Sequence, residues 1–158
     1  MFRPLERGDV ELVKWALYEA VSWNPDRALP PYDLVIDHPQ LARYHGDWGR
    51  PGDAGVVAEA DGSVVGVSFY RPFTDEDHGQ GYVDEHPAEI DVAVVDERLG
   101  EGTGGRLLED LAQQAREAGL ARLSLAVDAD NPARRLYQRL GYQEVPVADD
   151  DVLMVLEL

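Results

Sequence analysis

Apolar residues in this chain alternate between the period of a strand and the period of a helix. Phe2 to Leu5 has the length of one short strand. Asp9 then stands where a helix cap belongs, and Leu12, Val13, Ala16, Leu17, Ala20 and Val21 recur at the three- and four-residue spacing of a buried helical stripe. From Trp23 to Asp53 periodicity fails among Pro, Gly, Asp and aromatic residues, with one short helix predicted after Pro39. A stretch of that length without regular structure, inside a compact domain, predicts a functional loop or lid. Gly55 to Ala60 and Ser63 to Tyr70 then flank Asp61-Gly62, a strong hairpin signal.

Ala88 to Val95 predicts another strand, with Ile90, Val92 and Val94 on one face and Glu89, Asp91 and Ala93 on the other. Leu107, Leu108, Leu111, Ala112 and Ala115 return to helical spacing, and Gly119 reads as the stop. Leu123, Leu125 and Val127 alternate as a strand does. Asn131 is a good helix cap, Pro132 fits the first helical position, and Ala133, Leu136, Tyr137 and Leu140 continue the stripe until Gly141. Val152 to Leu158 predicts a closing strand. The predicted order is therefore β-α-(α)-β-β-β-α-β-α-β, an α/β chain with no internal repeat.

The strand-to-helix junction after Val95 carries the densest chemical signal. Gly100, Gly102, Gly104 and Gly105 fall within DERLGEGTGGRLLEDL, Asp96 to Leu111. Glycine admits positive φ and close approach of a ligand, at an entropic cost. A helix N-terminus presents orphan N–H donors and partial positive charge, so the expected guest is a phosphate or pyrophosphate. The spacing formally satisfies the dinucleotide fingerprint G-x-G-x-x-G, and Asp128 stands near the position of a ribose-binding acid. A dinucleotide fold, however, opens with its fingerprint and needs two βαβαβ halves, whereas this loop comes late in the chain. A P-loop is excluded, because no Gly-Lys-Ser/Thr occurs and Lys14 is the only lysine.

The glycine loop, its helix, the strand after it and DNPARRLYQRLGYQEV (Asp130 to Val145) together resemble the GNAT superfamily of acyl-CoA-dependent N-acyltransferases. The resemblance is dense over residues 88–145, the expected cofactor-binding core, and looser over the N-terminal RPLERGDVELVKWAL. It implies one GNAT-like domain over residues 1–158, with residues 24–53 on the substrate side. The implied α/β (α+β) fold is a mixed, mostly antiparallel sheet with a splayed pair of parallel strands and helices on both faces. It further implies that the acyl-pantetheine arm of acetyl-CoA, the acyl donor, lies in the splayed gap. Val92 and Val94 would offer backbone groups to the pantetheine amides. Leu99, Gly100, Glu101, Gly102, Thr103, Gly104 and Gly105 would wrap the pyrophosphate, and Asn131 would hold the cofactor from the other side. The chain departs from the family at Leu99, where Arg or Gln is usual, and at Glu101, where a basic residue is common.

The implied chemistry is transfer of an acetyl group from a thioester to a primary amine by direct attack. The amine must be neutral to attack, so a base has to take its proton, and the departing thiolate needs a proton in return. Tyr137 matches the tyrosine that the family places beside the sulfur as general acid; by spacing alone it reads first as a core aromatic. Glu89 is the first candidate for base and Asp91 the second, since they share one strand face; a solvated acidic face is the alternative for both. An acyl-CoA sensor without turnover, or a dinucleotide-binding oxidoreductase domain, would also use the glycine loop.

Composition narrows the class further. With 158 residues the chain has the size of one domain with a real core. It has no cysteine, which excludes disulfides and thiolate nucleophiles. His38, His45, His78 and His86 show no ligand spacing, so no metal is expected. No apolar run reaches the ~20 residues of a membrane span and no signal peptide is evident, so a cytoplasmic protein is expected. The net charge of −17 opposes binding to nucleic acid or to anionic membranes, both of which are engaged through Lys and Arg. Between Arg71 and Arg98 the chain has no Lys or Arg but carries Asp75, Glu76, Asp77, Asp84, Glu85, Glu89, Asp91, Asp96 and Glu97. That segment leads into the strand of the expected thioester site and predicts a cationic amine as acceptor. Monomer and homodimer are both compatible with the sequence.

Overall fold

The computed structural model describes residues 1–84, 87–145 and 151–158; Glu85 and His86 lie outside the described residues. Its strands are β1 (Phe2–Pro4), β2 (Ala54–Ala60), β3 (Ser63–Pro72), β4 (Ala88–Val94), β5 (Arg122–Asp128), β6 (Gln143–Val145) and β7 (Asp151–Glu157). The helices are α1 (Val10–Val21), α2 (Tyr32–Ile36), α3 (Pro39–His45), α4 (Thr103–Glu117) and α5 (Ala133–Arg139). The strands form one sheet in the order β1-β2-β3-β4-β5-β7-β6, antiparallel except for the parallel pair β4-β5.

The two faces of β3 and β4 bury different layers, as the alternation of side chains requires. Tyr70, Ala88 and Ile90 pack with Leu108, Leu111, Ala112 and Ala115 of α4 and with Tyr137. Phe69 and Ala93 pack with Val13, Ala16 and Leu17 of α1, with Ile36 and with Trp48. The amphipathic stripe of α4 is thus spent wholly on the sheet, and each fully buried Leu contributes ~1.5–3 kcal/mol. A Cβ on Gly66 would lie 2.7 Å from Leu107 Cδ1, so the bare backbone there lets α4 settle onto β3.

The β2–β3 turn is the one its sequence specifies: Asp61 and Gly62 both take positive φ, 55° and 80°. Four local expectations are corrected. Ala20 is exposed, so the buried stripe of α1 is narrower than its periodicity implied. Asp9 occupies the N-cap position of α1 without a side-chain capping bond, because its carboxylate is taken by Arg3 and by Glu6 N–H. The segment from Trp23 to Asp53 holds α2 as well as α3. The three-residue β6 was not anticipated, since it alternates too briefly to register.

A buried ion pair ties that segment to the sheet. Arg71 of β3 is fully buried, donates to both carboxylate oxygens of Asp53 at 2.8 and 2.7 Å, and donates to the Arg43 carbonyl at 2.8 Å. Asp53 also accepts from Gly49 and Arg50 N–H, so its lone pairs are satisfied. Burial of a charge pair is tolerated where such bonds replace water. The result fixes α3 beside the start of β4.

Candidate active site

The parallel pair β4-β5 is joined only at Ala88↔Leu123 and Glu89↔Ser124. Beyond those residues β4 continues beside β3 and β5 continues beside β7, so the two strands part and leave an opening. The remaining length of β4, from Glu89 to Val94, is ~17 Å at strand rise.

At the far end of β4 a single helical turn, Asp96–Arg98, leads to the glycine loop. Gly100 and Gly102 take φ of 85° and 86°, the left-handed region that favours glycine, and Gly102 is the N-cap of α4. The first helical bond runs from Arg106 N–H to the Gly102 carbonyl at 3.1 Å, which leaves the N–H groups of Thr103, Gly104 and Gly105 as the orphan donors of the helix start. Cβ atoms at Gly104 and Gly105 would meet Leu136 of α5 at 3.4 and 3.7 Å, ordinary van der Waals contact. The four glycines therefore divide into two that the backbone conformation requires and two that neither φ nor internal packing requires.

Leu99 is 63% exposed, with its side chain outside the core. Glu101 accepts from Arg98 at 3.5 Å, and Arg98 also reaches Asp61 of the hairpin at 3.0 Å. The basic residue of this loop is thus shared between two exposed carboxylates.

Asn131 Oδ1 accepts from Ala133 N–H at 3.0 Å, the bond a cap makes to the second helical residue when Pro132 fills the first. Its side-chain carbonyl is committed to α5. Val94 follows the expected register, opposite Gly66. Val92 N–H, expected to face a ligand amide, donates to Asp91 Oδ1 at 2.8 Å.

The two carboxylates on the α1–α3 side of β4 differ sharply. Glu89 accepts from Tyr44 Oη at 2.6 Å and from Gly79 and Gly81 N–H at 2.8 Å each. Burial raises its pKa while those three donors hold it back. Asp91 lies two residues further into the opening. One oxygen caps Val92 N–H, and the other, Oδ2, is buried without a partner. Burial pushes its pKa up to about 8, with only the Val92 bond opposing.

Tyr137 of α5 is buried, and its hydroxyl pKa is driven up by burial and by the nearby charge of Asp91. The neighbouring Tyr142 meets it edge to face at 5.7 Å, and the Tyr142 hydroxyl has no hydrogen-bond partner. Ser124, at the point where the strands separate, is fully buried with an unpartnered hydroxyl. The mouth of the opening thus gathers Asp91 and Ser124 with buried, unsatisfied oxygens and a tyrosine held protonated. Ser124 escaped sequence reasoning because nothing local distinguishes it from any strand serine; only the β4-β5 register gives it meaning.

Among the described residues no group of His, Asp and Glu is placed to hold a metal ion. No helix among them is long and apolar enough to cross a membrane. An open groove lined by Phe2, Pro4, Val56 and Gln114 lies at the β1 edge of the sheet, away from this opening.

The model of the acetyltransferase (GNAT) family matches residues 15–142. A mycothiol acetyltransferase of Parafrankia sp. is 33% identical over 136 residues, 70% of this chain and 40% of that protein. An L-methionine sulfoximine/L-methionine sulfone acetyltransferase of Pseudomonas aeruginosa is 34% identical over 92 residues, 56% of this chain and 49% of that protein. The chain thus spans less than half the length of these curated relatives. Among solved structures, a ribosomal-protein-alanine N-acetyltransferase from Brucella melitensis superposes with TM-score 0.70 at 25% identity, covering 100% of this chain and 99% of that one. The PaiA N-acetyltransferase from Thermoplasma acidophilum in complex with coenzyme A has TM-score 0.73 at 16% identity, covering 100% and 98%, a likeness of fold.

Proposed function

Because the chain belongs to the acetyltransferase (GNAT) family, we propose that it moves the acetyl group of acetyl-CoA to a primary amine in the opening between β4 and β5. The observation that carries this reading is the buried, unpartnered Oδ2 of Asp91 on the stretch of β4 that has parted from β5. A buried carboxyl without a partner is costly unless a ligand supplies one.

The pyrophosphate is held by the orphan N–H groups at the start of α4, with the flexible peptide of Leu99 to Gly102 around it. The arm then runs back along β4, whose ~17 Å free edge brings the thioester close to Asp91. Asn131 contributes its side-chain amide, since its carbonyl is engaged by Ala133. Val92 N–H becomes available to the arm when Asp91 turns toward the acceptor.

Of the two carboxylates, Asp91 is the better base. Glu89 already accepts three hydrogen bonds, whereas Asp91 has a free oxygen and a pKa of about 8. An incoming ammonium favours the ionised form of Asp91, so the pair can exchange a proton at near-neutral pH. The neutral nitrogen attacks the thioester carbonyl, the C–N bond forms, and the C–S bond breaks as Tyr137 gives its hydroxyl proton to the leaving thiolate. The acylated nitrogen sheds its extra proton to give the amide, and that proton restores the Tyr137 hydroxyl, whose raised pKa favours its return.

The acidic segment before β4 favours a cationic amine over a carboxylate-bearing one. The test is thiol release from acetyl-CoA with a diamine or with glutamate as acceptor at matched pH. The diamine is expected to be the better acceptor, and preference for glutamate would overturn the acceptor assignment.

A further inference from the structure

Away from the glycine loop, residues 78–81, which follow β3, fold back over the separated strands. Gly79 and Gly81 give their N–H groups to Glu89, Gln80 reaches Gln40 of α3 at 3.2 Å, and the His78 carbonyl accepts from Arg43. Gly81 is buried so closely against β5 that a Cβ there would lie 2.9 Å from Leu125 Cα and 3.0 Å from Ala126 N. A Cβ on Gly79 would collide with the Tyr44 hydroxyl. These contacts begin one residue past Ser124, the last residue of β5 that pairs with β4. The segment is therefore a strap seated across the acceptor side of the opening, pinned from beneath by one carboxylate.

We infer that Glu89 is a positioning residue for acceptor recognition: through Gly79 and Gly81 it holds residues 78–81 against β5 and so sets the space in which the amine meets Asp91. This rests on the acetyl-transfer reading above. A carboxylate that accepts from two backbone N–H groups and a tyrosine hydroxyl fixes three separate pieces of chain, α3, the strap and β4, in one geometry. Oε1 is fully engaged by Tyr44 and Gly81, and Oε2 accepts from Gly79, so three of the carboxylate's four lone pairs are committed to holding these pieces together. The glycines follow from the same geometry, because one touches the tyrosine and the other touches backbone.

Two variants separate this from a role as base. Glu89→Gln keeps shape but loses acceptor capacity toward one strap N–H, and Gly81→Ala, whose Cβ would lie 2.9 Å from Leu125 Cα and 3.0 Å from Glu89 Oε1, forces the strap away while retaining the Glu89 carboxylate. With a diamine as probe acceptor, both are expected to raise the acceptor KM about tenfold with kcat within a few-fold of wild type. Both keep the wild-type pH profile and acetyl-CoA affinity. Amide hydrogen exchange of the free proteins is expected to speed up at residues 79–81 and stay unchanged in β5. A Glu89→Gln variant with an intact acceptor KM, a kcat reduced ~10²-fold and an altered pH profile would make Glu89 the base and overturn the inference. Unchanged exchange at residues 79–81 in both variants would overturn it as well. If the wild type transfers nothing to the diamine, the cationic-acceptor assignment fails, and exchange still decides whether Glu89 holds the strap.

Discussion

Asp91 and Glu89 stand two residues apart on one face of one strand, yet their surroundings differ: Glu89 accepts three hydrogen bonds and Asp91 Oδ2 none. Their carboxylates and their shared face were legible in the alternation of β4. The difference was not, because it depends on Tyr44, Gly79 and Gly81, which reach Glu89 from elsewhere in the chain. The raised pKa of Asp91 also bears on stability. A carboxyl whose folded pKa lies above its unfolded value binds more protons when folded, so the fold loses stability as pH rises from the ordinary aspartate range to about 8. Urea unfolding at pH 5 and pH 8.5 is expected to show a smaller loss in Asp91→Asn than in wild type; equal losses would mean that Asp91 ionises freely. For the acid, Tyr137→Phe is expected to keep acetyl-CoA affinity and lose ~10²-fold in kcat, the scale of a positioned proton donor. Full turnover by that variant would return Tyr137 to the core packing it also serves beside Tyr142.

At the scale of elements, strongly periodic segments were the readable ones. α1, α4, β5 and the β2–β3 hairpin came through because their apolar spacing or turn chemistry is local. α2 was hidden: Tyr32–Ile36 is a five-residue helix too short to show a period, and it is held by packing of Ile36 beside α1. The left-handed glycines and helix start of the loop were readable, while the pairing of its charged residues was not. Arg98 lies between Glu101 and Asp61, so the loop's own basic residue is partly neutralised before any phosphate arrives. Glu101→Arg removes one carboxylate and releases Arg98. It is expected to tighten acetyl-CoA binding about fivefold at low salt, ~1 kcal/mol for an exposed charge. That gain should shrink as salt is added. Titration calorimetry at two ionic strengths checks it, and no gain at either would place Glu101 away from the phosphates.

On the proposed reading, the whole molecule reconciles a net charge of −17 with an anionic donor by keeping their fields apart. The proposed phosphate loop offers backbone N–H groups at the start of α4, and screening limits the reach of distant carboxylates to ~8 Å at physiological salt. On the strap side, part of the acidity is structural: Asp84 pairs with Arg122 at 3.0 Å and Asp75 accepts from Tyr82. The sheet does the rest, since a single parallel pair that parts after two residues creates the opening in which Asp91 is left unpartnered. That topology was implied by resemblance and not by spacing, because strand pairing between segments more than thirty residues apart leaves no local trace.

The central claim is that the amine's proton passes to Asp91 in this opening. The most direct measurement is the pH dependence of kcat/KM for thiol release from acetyl-CoA with a diamine, in wild type and in Asp91→Asn. The account predicts a wild-type rate that rises with pH and levels off near 8, and a variant ~10²-fold slower in which that limb is gone. An Asp91→Asn variant with the wild-type rate and the same limb would contradict it.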